Sequence, residues 1–143
     1  MKSFWILCCI AGFTLLSTSA IAASEQQLQV EPVLRSVKAW DGKSYANYPG
    51  GKPELSVLRF TIPPNTSLPW HSNPVPNVAY ILSGEITVEK HGTGETLRLG
   101  PGQALPEMVH AVHRGYTGDS PAVLIVFYAG GEGIPLLEEQ EIQ

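Results

Sequence analysis

The sequence predicts an all-β domain of antiparallel strands, a sandwich or barrel, behind a short apolar leader. Three observations carry this. Twelve prolines and fourteen glycines are spread over the 143 residues, and helix breakers at that density exclude long helices. Two segments alternate apolar and polar residues with period two, the pattern of half-buried strands. From Leu34 onward the chain is a series of short apolar runs, eight or nine before residue 129, separated by Gly, Pro and Asn.

The elements follow in order. Lys2 and the uncharged apolar run at residues 4–16 read as the positive and hydrophobic regions of a signal peptide. Ala20-Ile21-Ala22 then supplies the small-x-small cleavage pattern, so cleavage is expected after Ala22 or Ala23. The competing reading is a retained anchor, against which the run falls short of the roughly 20 residues that span a bilayer. Residues 24–33 are polar and expected to be loosely ordered. Residues 34–129 form the expected β domain. Within it, residues 55–62 read as a strand stopped by Pro63-Pro64. Residues 85–89 place Ile86 and Val88 on one face, and residues 95–99 place Leu97 and Leu99 on one face, with a turn at 91–94 between them. The continuous run AVLIVFY at 122–128 suits a strand buried on both sides. The tail, residues 130–143, is a glycine hinge followed by an acidic end. Its Ile134-Pro-Leu-Leu is expected to cap the barrel, to pair with a second subunit, or to fray.

Composition narrows the function classes. The chain carries nine basic and thirteen acidic residues, a net charge of −4, and loss of Lys2 with the leader makes it more negative still. With no basic run, nucleic acid and anionic membrane surfaces are poor partners. Both cysteines, Cys8 and Cys9, lie in the leader. The processed chain would therefore have no disulfide, no thiol catalysis and no thiolate metal site, although its secreted or periplasmic destination would permit disulfides. There is no Gly-x-Ser-x-Gly elbow, P-loop or dinucleotide fingerprint.

Spacing singles out one set of residues. His71 and Asn73 are two apart and share a strand face. Asn77 follows four residues later, and Gly84 after six more. Downstream, Gly102 precedes His113 by eleven, with Thr117 four beyond it. With these spacings the chain resembles the cupin family. The first cupin motif is Gly, five residues, His-x-His, three or four residues, Glu, six residues, Gly. It falls here on Asn65, His71, Asn73, Asn77 and Gly84. The second is Gly, five residues, Pro-x-Gly, two residues, His, three residues, Asn. It falls on Gly102, Met108, His110, His113 and Thr117. The SGEITVE, LGPGQA and SPAVLIVFY segments also look like cupin strands and turns.

The resemblance covers roughly residues 34–129 and implies a small single-domain jelly-roll barrel, of the cupin type-2 kind, with a pocket inside. In the family three histidines and a glutamate hold a divalent metal. Here His71 and His113 are kept, while Asn73 stands for the second histidine and Asn77 for the glutamate. Asn offers only a neutral amide oxygen, so a cation (Fe, Mn, Ni, Cu or Zn) would be bound weakly if at all, and a metal-free pocket is equally compatible. Two residues could restore donors: His110 as a third imidazole and Glu107 as the missing carboxylate, against a turn histidine and a surface acid. The choice of His113 over His110 as the second-motif histidine rests on the gap from Gly102. Trp70, Tyr80 and Thr117 are expected to line the pocket, with core packing the alternative for the two aromatics. Arg59 and Arg114 are either anion partners or a solvated face.

Two functions follow from the resemblance. One is a metal-assisted enzyme acting on a small organic molecule by dioxygenation, isomerisation or decarboxylation. The other is a metal-free module binding a sugar or organic acid, or a structural dimer. A homodimer is implied under either.

Overall fold

The computed structural model describes residues 28–142, so the expected leader at 1–23 lies outside the described residues. Residues 28–36 are irregular and mostly exposed. Nine strands and no helix occur among the described residues: β1 (Pro53–Ile62), β2 (His71–Ser72), β3 (Asn77–Ser83), β4 (Ile86–Lys90), β5 (Thr96–Leu99), β6 (Ala104–Pro106), β7 (His113–Tyr116), β8 (Ala122–Gly131) and β9 (Glu138–Glu139).

They form two sheets, ordered β1-β8-β3-β6 and β5-β4-β7-β2-β9, with every strand pairing antiparallel. From β1 to β4 and again from β5 to β9, each strand lies in the sheet opposite its predecessor. This is jelly-roll winding, and the two sheets face each other without a ladder closing them into a full barrel. Between them lie Ile62, Val75, Ala79, Ile81, Ile86, Val88, Leu99, Leu105, Ala122, Leu124, Val126 and Tyr128, with Trp40, Phe60, Leu68, Ile134 and Leu136 packed against them.

Period two in the sequence becomes the face of the sheet. Ile86 and Val88 of β4 are buried while Thr87 and Glu89 are half-buried. β5 is an edge strand, so Leu99 is buried and Leu97 is left exposed. The expectation for 122–128 is corrected. β8 alternates, with Ala122, Leu124, Val126 and Tyr128 buried and Phe127 exposed. The reason is that little of the chain covers the outer side of this sheet. Residues 34–37 lie near its Val78, Phe127 and Ala129.

Two additions at the sheet ends matter for the site. A short hairpin at 37–45, bridged at Lys38 and Ser44, runs beside β6, where the backbone N–H of Trp40 donates to the Pro106 carbonyl at 2.9 Å. The Lys90 ammonium holds the hairpin's Asp41 carboxylate at 2.6 Å. At the other end the tail turns at Gly133, in the left-handed region at φ 78°, and adds β9 to β2.

Candidate functional site

The two motifs meet in the ladder. His71 of β2 and His113 of β7 are directly opposed residues, so their side chains share one face, and their ring centroids are 4.5 Å apart. Both face a cavity of about 60 Å³ between the sheets. Its polar lining is His71, His113, Asn73, Asn77, Glu107 and Tyr128, and apolar side chains including Phe60, Ile86, Leu105 and Val126 make up most of the rest.

Backbone carbonyls orient both imidazoles. The Nδ1–H of His71 donates to Pro69 at 2.9 Å, and that of His113 to Ala111 at 2.8 Å. A carbonyl only accepts, so in the neutral rings the lone pair sits on Nε2. The Nε2 of His113 is 3.2 Å from the Glu107 carboxylate, and the two side chains are 1% and 13% exposed. The pair is not aligned as a hydrogen bond, and neither His113 Nε2 nor Glu107 Oε2 has another partner. The contact is an ion pair when His113 is protonated.

Glu107 owes its place to its neighbours on both sides. It follows β6 with Leu105 and Met108 buried around it. Its N–H donates to the Asn77 carbonyl at 3.1 Å, and its carbonyl accepts from the Tyr45 hydroxyl at 2.7 Å. The hairpin thus pins the backbone that presents the carboxylate.

These surroundings push the two histidines apart. Burial disfavours charge on His113, but the Glu107 carboxylate and the Ala111 carbonyl outweigh it, and its pKa is raised. Burial dominates at His71. The Pro69 carbonyl and the charges of Glu107 and Glu139 oppose it while His113 reinforces it, and the net direction is down. Tyr128 is pushed up to about 12 by burial and by Glu107. An acid and a base side by side are the outcome when environments split two like groups in this way.

The asparagines spend their amide nitrogens on the backbone. Asn73 Nδ2 donates to Leu136 at 2.9 Å and Asn77 Nδ2 to Val75 at 3.3 Å. Their amide oxygens are what they retain for the cavity.

Other expectations are corrected by strand parity and by loop geometry. Tyr80 stands three residues after the inward Asn77, on the outer face of β3 beside Ile125. Trp70 precedes His71 and lies outside as well, with the Arg114 guanidinium 4.3 Å from its ring centroid and His91 edge-on to it. Arg114 also donates to Glu89 at 2.8 Å. Thr117 lies beyond the end of β7, where its hydroxyl donates to Pro63 at 2.6 Å and fastens the 63–66 loop. His110, at φ 58°, is an exposed turn residue whose N–H donates to Asn73. It lines an outer cleft of about 360 Å³ rather than the cavity. Another outer cleft, about 500 Å³, lies under residues 34–37 and holds neither His71 nor His113. Tyr128 completes the cavity without having been singled out in the sequence, and Leu137 does so from the Ile134-Pro-Leu-Leu stretch expected to cap the barrel. Tyr128 is hidden in a uniformly apolar run, and Leu137 lies in the tail.

A divalent cation, which the resemblance implies, fits the donor chemistry of this cavity. Two imidazole nitrogens and a carboxylate are the facial set of N and O ligands, and His113 Nε2 and Glu107 Oε2 have no hydrogen-bond partner, only their 3.2 Å contact with each other. Their present spacing is looser. Among the described residues no three His, Cys, Asp or Glu side chains stand close enough to hold an ion as they are.

Comparison with known proteins follows the same lines. The family model for the cupin domain matches residues 58–128. No curated protein matches the chain. Among solved structures, the DMSP lyase DddQ from Ruegeria pomeroyi DSS-3 is 23% identical with a TM-score of 0.54, over 69% of this chain and 47% of that one. The polyketide cyclase RemF from Streptomyces resistomycificus is 22% identical with a TM-score of 0.54, over 66% and 65%. A cupin-like protein from Thermotoga maritima is 15% identical with a TM-score of 0.52, over 60% and 64%. The chain spans about half the length of the first of these, and identities this low speak for the fold alone. Together with the two opposed motif histidines, the domain match identifies the chain as a member of the cupin superfamily.

Proposed function

We propose that the protein is a small-molecule-acting cupin whose working groups are His71, His113 and Glu107, and that these three hold a divalent cation. The observation that carries the reading is the buried pair His113 Nε2 and Glu107 Oε2, 3.2 Å apart and without a hydrogen bond to any other group, in a largely apolar cavity. Buried polar atoms are almost always satisfied, and exceptions point to an ion, a water or a reactive role. Glu107 supplies the anionic donor that Asn77 cannot. Asn73 and Asn77 would stand beside the ion as neutral amides. A bound cation would serve as a Lewis acid or as an oxygen-activating centre. The expected leader would place this chemistry in the periplasm or outside the cell.

The test is metal content. Protein purified without a His-tag and soaked in Fe, Mn, Ni, Cu or Zn is expected to retain about one ion per chain by mass spectrometry, lost in His71→Ala and His113→Ala. No uptake by the native chain, with uptake by the Asn73→His, Asn77→Glu double variant, would defeat the cation reading. It would favour a metal-free module for a sugar or organic acid. That second reading has its own support, since the His113–Glu107 pair already balances its charge at 3.2 Å.

A second copy of the chain is the proposed partner. The outer face of the β1-β8-β3 layer presents Leu55, Val57, Ile125, Phe127, Val78 and Tyr80 together with Arg59, and residues 34–37 lie beside Val78 and Phe127. Leu55, Val57 and Phe127 are 68%, 62% and 41% exposed. The outer face of the other sheet carries the paired charges Glu89–Arg114 and Glu85–Arg98 instead, and suits water. A contiguous apolar sheet face marks an interaction surface. Sedimentation is expected to give a dimer, and Phe127→Glu a monomer with unchanged fold. A monomeric parent at micromolar concentration would refute the pairing.

A further inference from the structure

The cavity holds about 60 Å³, room for a few waters, whereas small-molecule sites run to roughly 300–1,000 Å³. If it takes a ligand, one wall must yield. Most walls are strands in continuous ladders. Leu68, Asn73 and Glu107 come from connections between strands, and Leu137 comes from the tail. Leu137, 38% exposed, is the most open residue among those described around the cavity, so the cavity comes near to solvent there.

The tail is also the most lightly held wall. β9 is a two-residue edge strand paired to β2 through His71–Glu139 and Ser72–Glu138. Beyond it the Gln140 N–H donates to the Trp70 carbonyl at 2.8 Å. Ile134 and Leu136 pack against the core, and Gly131 and Gly133 bracket the turn from which the segment departs. The side-chain bond from the cavity to this segment comes from Asn73, whose amide donates to the Leu136 carbonyl at 2.9 Å. Low-stability elements of this kind open first.

We propose that residues 134–140 are the gate of the cavity and that Asn73, standing where the family motif has a histidine, is its latch. The Asn73 amide holds the tail whether or not an ion is bound, because its bond to the Leu136 carbonyl uses no metal-ligating atom. The gate controls entry to the ligand site and rests on the reading of the cavity as such a site. Asn73 is thus a positioning residue, acting through the tail.

The test reads access without needing a ligand. Diethyl pyrocarbonate modifies neutral imidazoles it can reach, and peptide mass spectrometry follows each histidine separately. The exposed His91 and His110 serve as internal controls. In the full chain with Cys8→Ser and Cys9→Ser, the pair Ser72→Cys and Glu138→Cys cross-links β2 to β9. Modification of His71 and His113 is expected to slow about tenfold or more when the cross-link is oxidised and to recover on reduction. In the parent chain Asn73→Ala is expected to speed it about fivefold. Where the cross-link does not form, Asn73→Ala alone decides. Rates at His71 and His113 that ignore these changes, with His91 and His110 constant, overturn the gate. Adding zinc to the Asn73→Ala chain separates the two ideas. Protection of His71 and His113 supports the cation reading, and its absence counts against that reading while the gate stands on the access rates.

Discussion

Gly84→Ala is expected to destabilise the domain by about 4 kcal/mol or more, lowering Tm by about 20 °C. Gly84 turns the chain from the end of β3 in one sheet to β4 in the other, at φ 72°. A left-handed conformation alone costs an L-residue about 1–2 kcal/mol. The larger cost is steric. A Cβ there would stand 2.0 Å from the Pro121 carbonyl oxygen and 2.8 Å from the Ala122 Cα. Those atoms are backbone at the start of β8, which is hydrogen-bonded on both sides by β1 and β3, so they cannot step aside without breaking a ladder. Gly92→Ala is the control. It has φ 83° but nothing within 4 Å of the added carbon, and should lose only the conformational part, about 1–2 kcal/mol. Thermal and urea unfolding of the two variants decide the matter, and equal losses would show that the corner is not wedged against β8.

This glycine also shows how far the sequence could be read. The spacing from Asn77 to Gly84 marks a corner, because the family motif ends on a glycine there. Which atoms fill the corner is a fact about β8, some forty residues on. The same division runs through the site. Matching His71 and His113 to the two motifs was enough to place them together, and the β2–β7 register does so. Strand parity would already have turned Trp70 and Tyr80 outward, since one is a single residue from His71 and the other three from Asn77. The uniform apolar run at 122–128 hides its own parity, so Tyr128 becomes visible as a cavity residue only when β8 is set opposite Asn77. Glu107 reads as a surface acid by residue type. The local signal against this is its position between Leu105 and Met108, both buried. What the sequence does not encode locally is the Tyr45 hydrogen bond, made across 62 residues, that holds its backbone in place.

Glu107→Gln is expected to weaken divalent cation binding about 100-fold or more, a loss of about 2.7 kcal/mol, while leaving the fold intact. The side chains are close to isosteric, and the backbone N–H and carbonyl of residue 107 keep their bonds to Asn77 and Tyr45. What disappears is the one anion lining the cavity. The same substitution should reverse His113. In the native chain Glu107 lifts its pKa above the ordinary histidine value of 6.5. The stability this group contributes is therefore complete below about 6.5 and is lost as pH rises through the raised value. Without the carboxylate, burial is the largest influence left, and the pKa should fall below 6.5. The folded state then binds fewer protons than the unfolded one, so stability falls as pH drops below about 6.5 and is regained above it. Calorimetric titration with zinc, NMR titration of the His113 ring and unfolding between about pH 5.5 and 8.5 give three readouts from one variant. A reversed His113 with undiminished zinc affinity would remove Glu107 from the ligand set and leave it as a proton partner. A His113 that titrates as in the native chain would mean that carboxylate and imidazole do not face each other, and the proposed centre would fail with them.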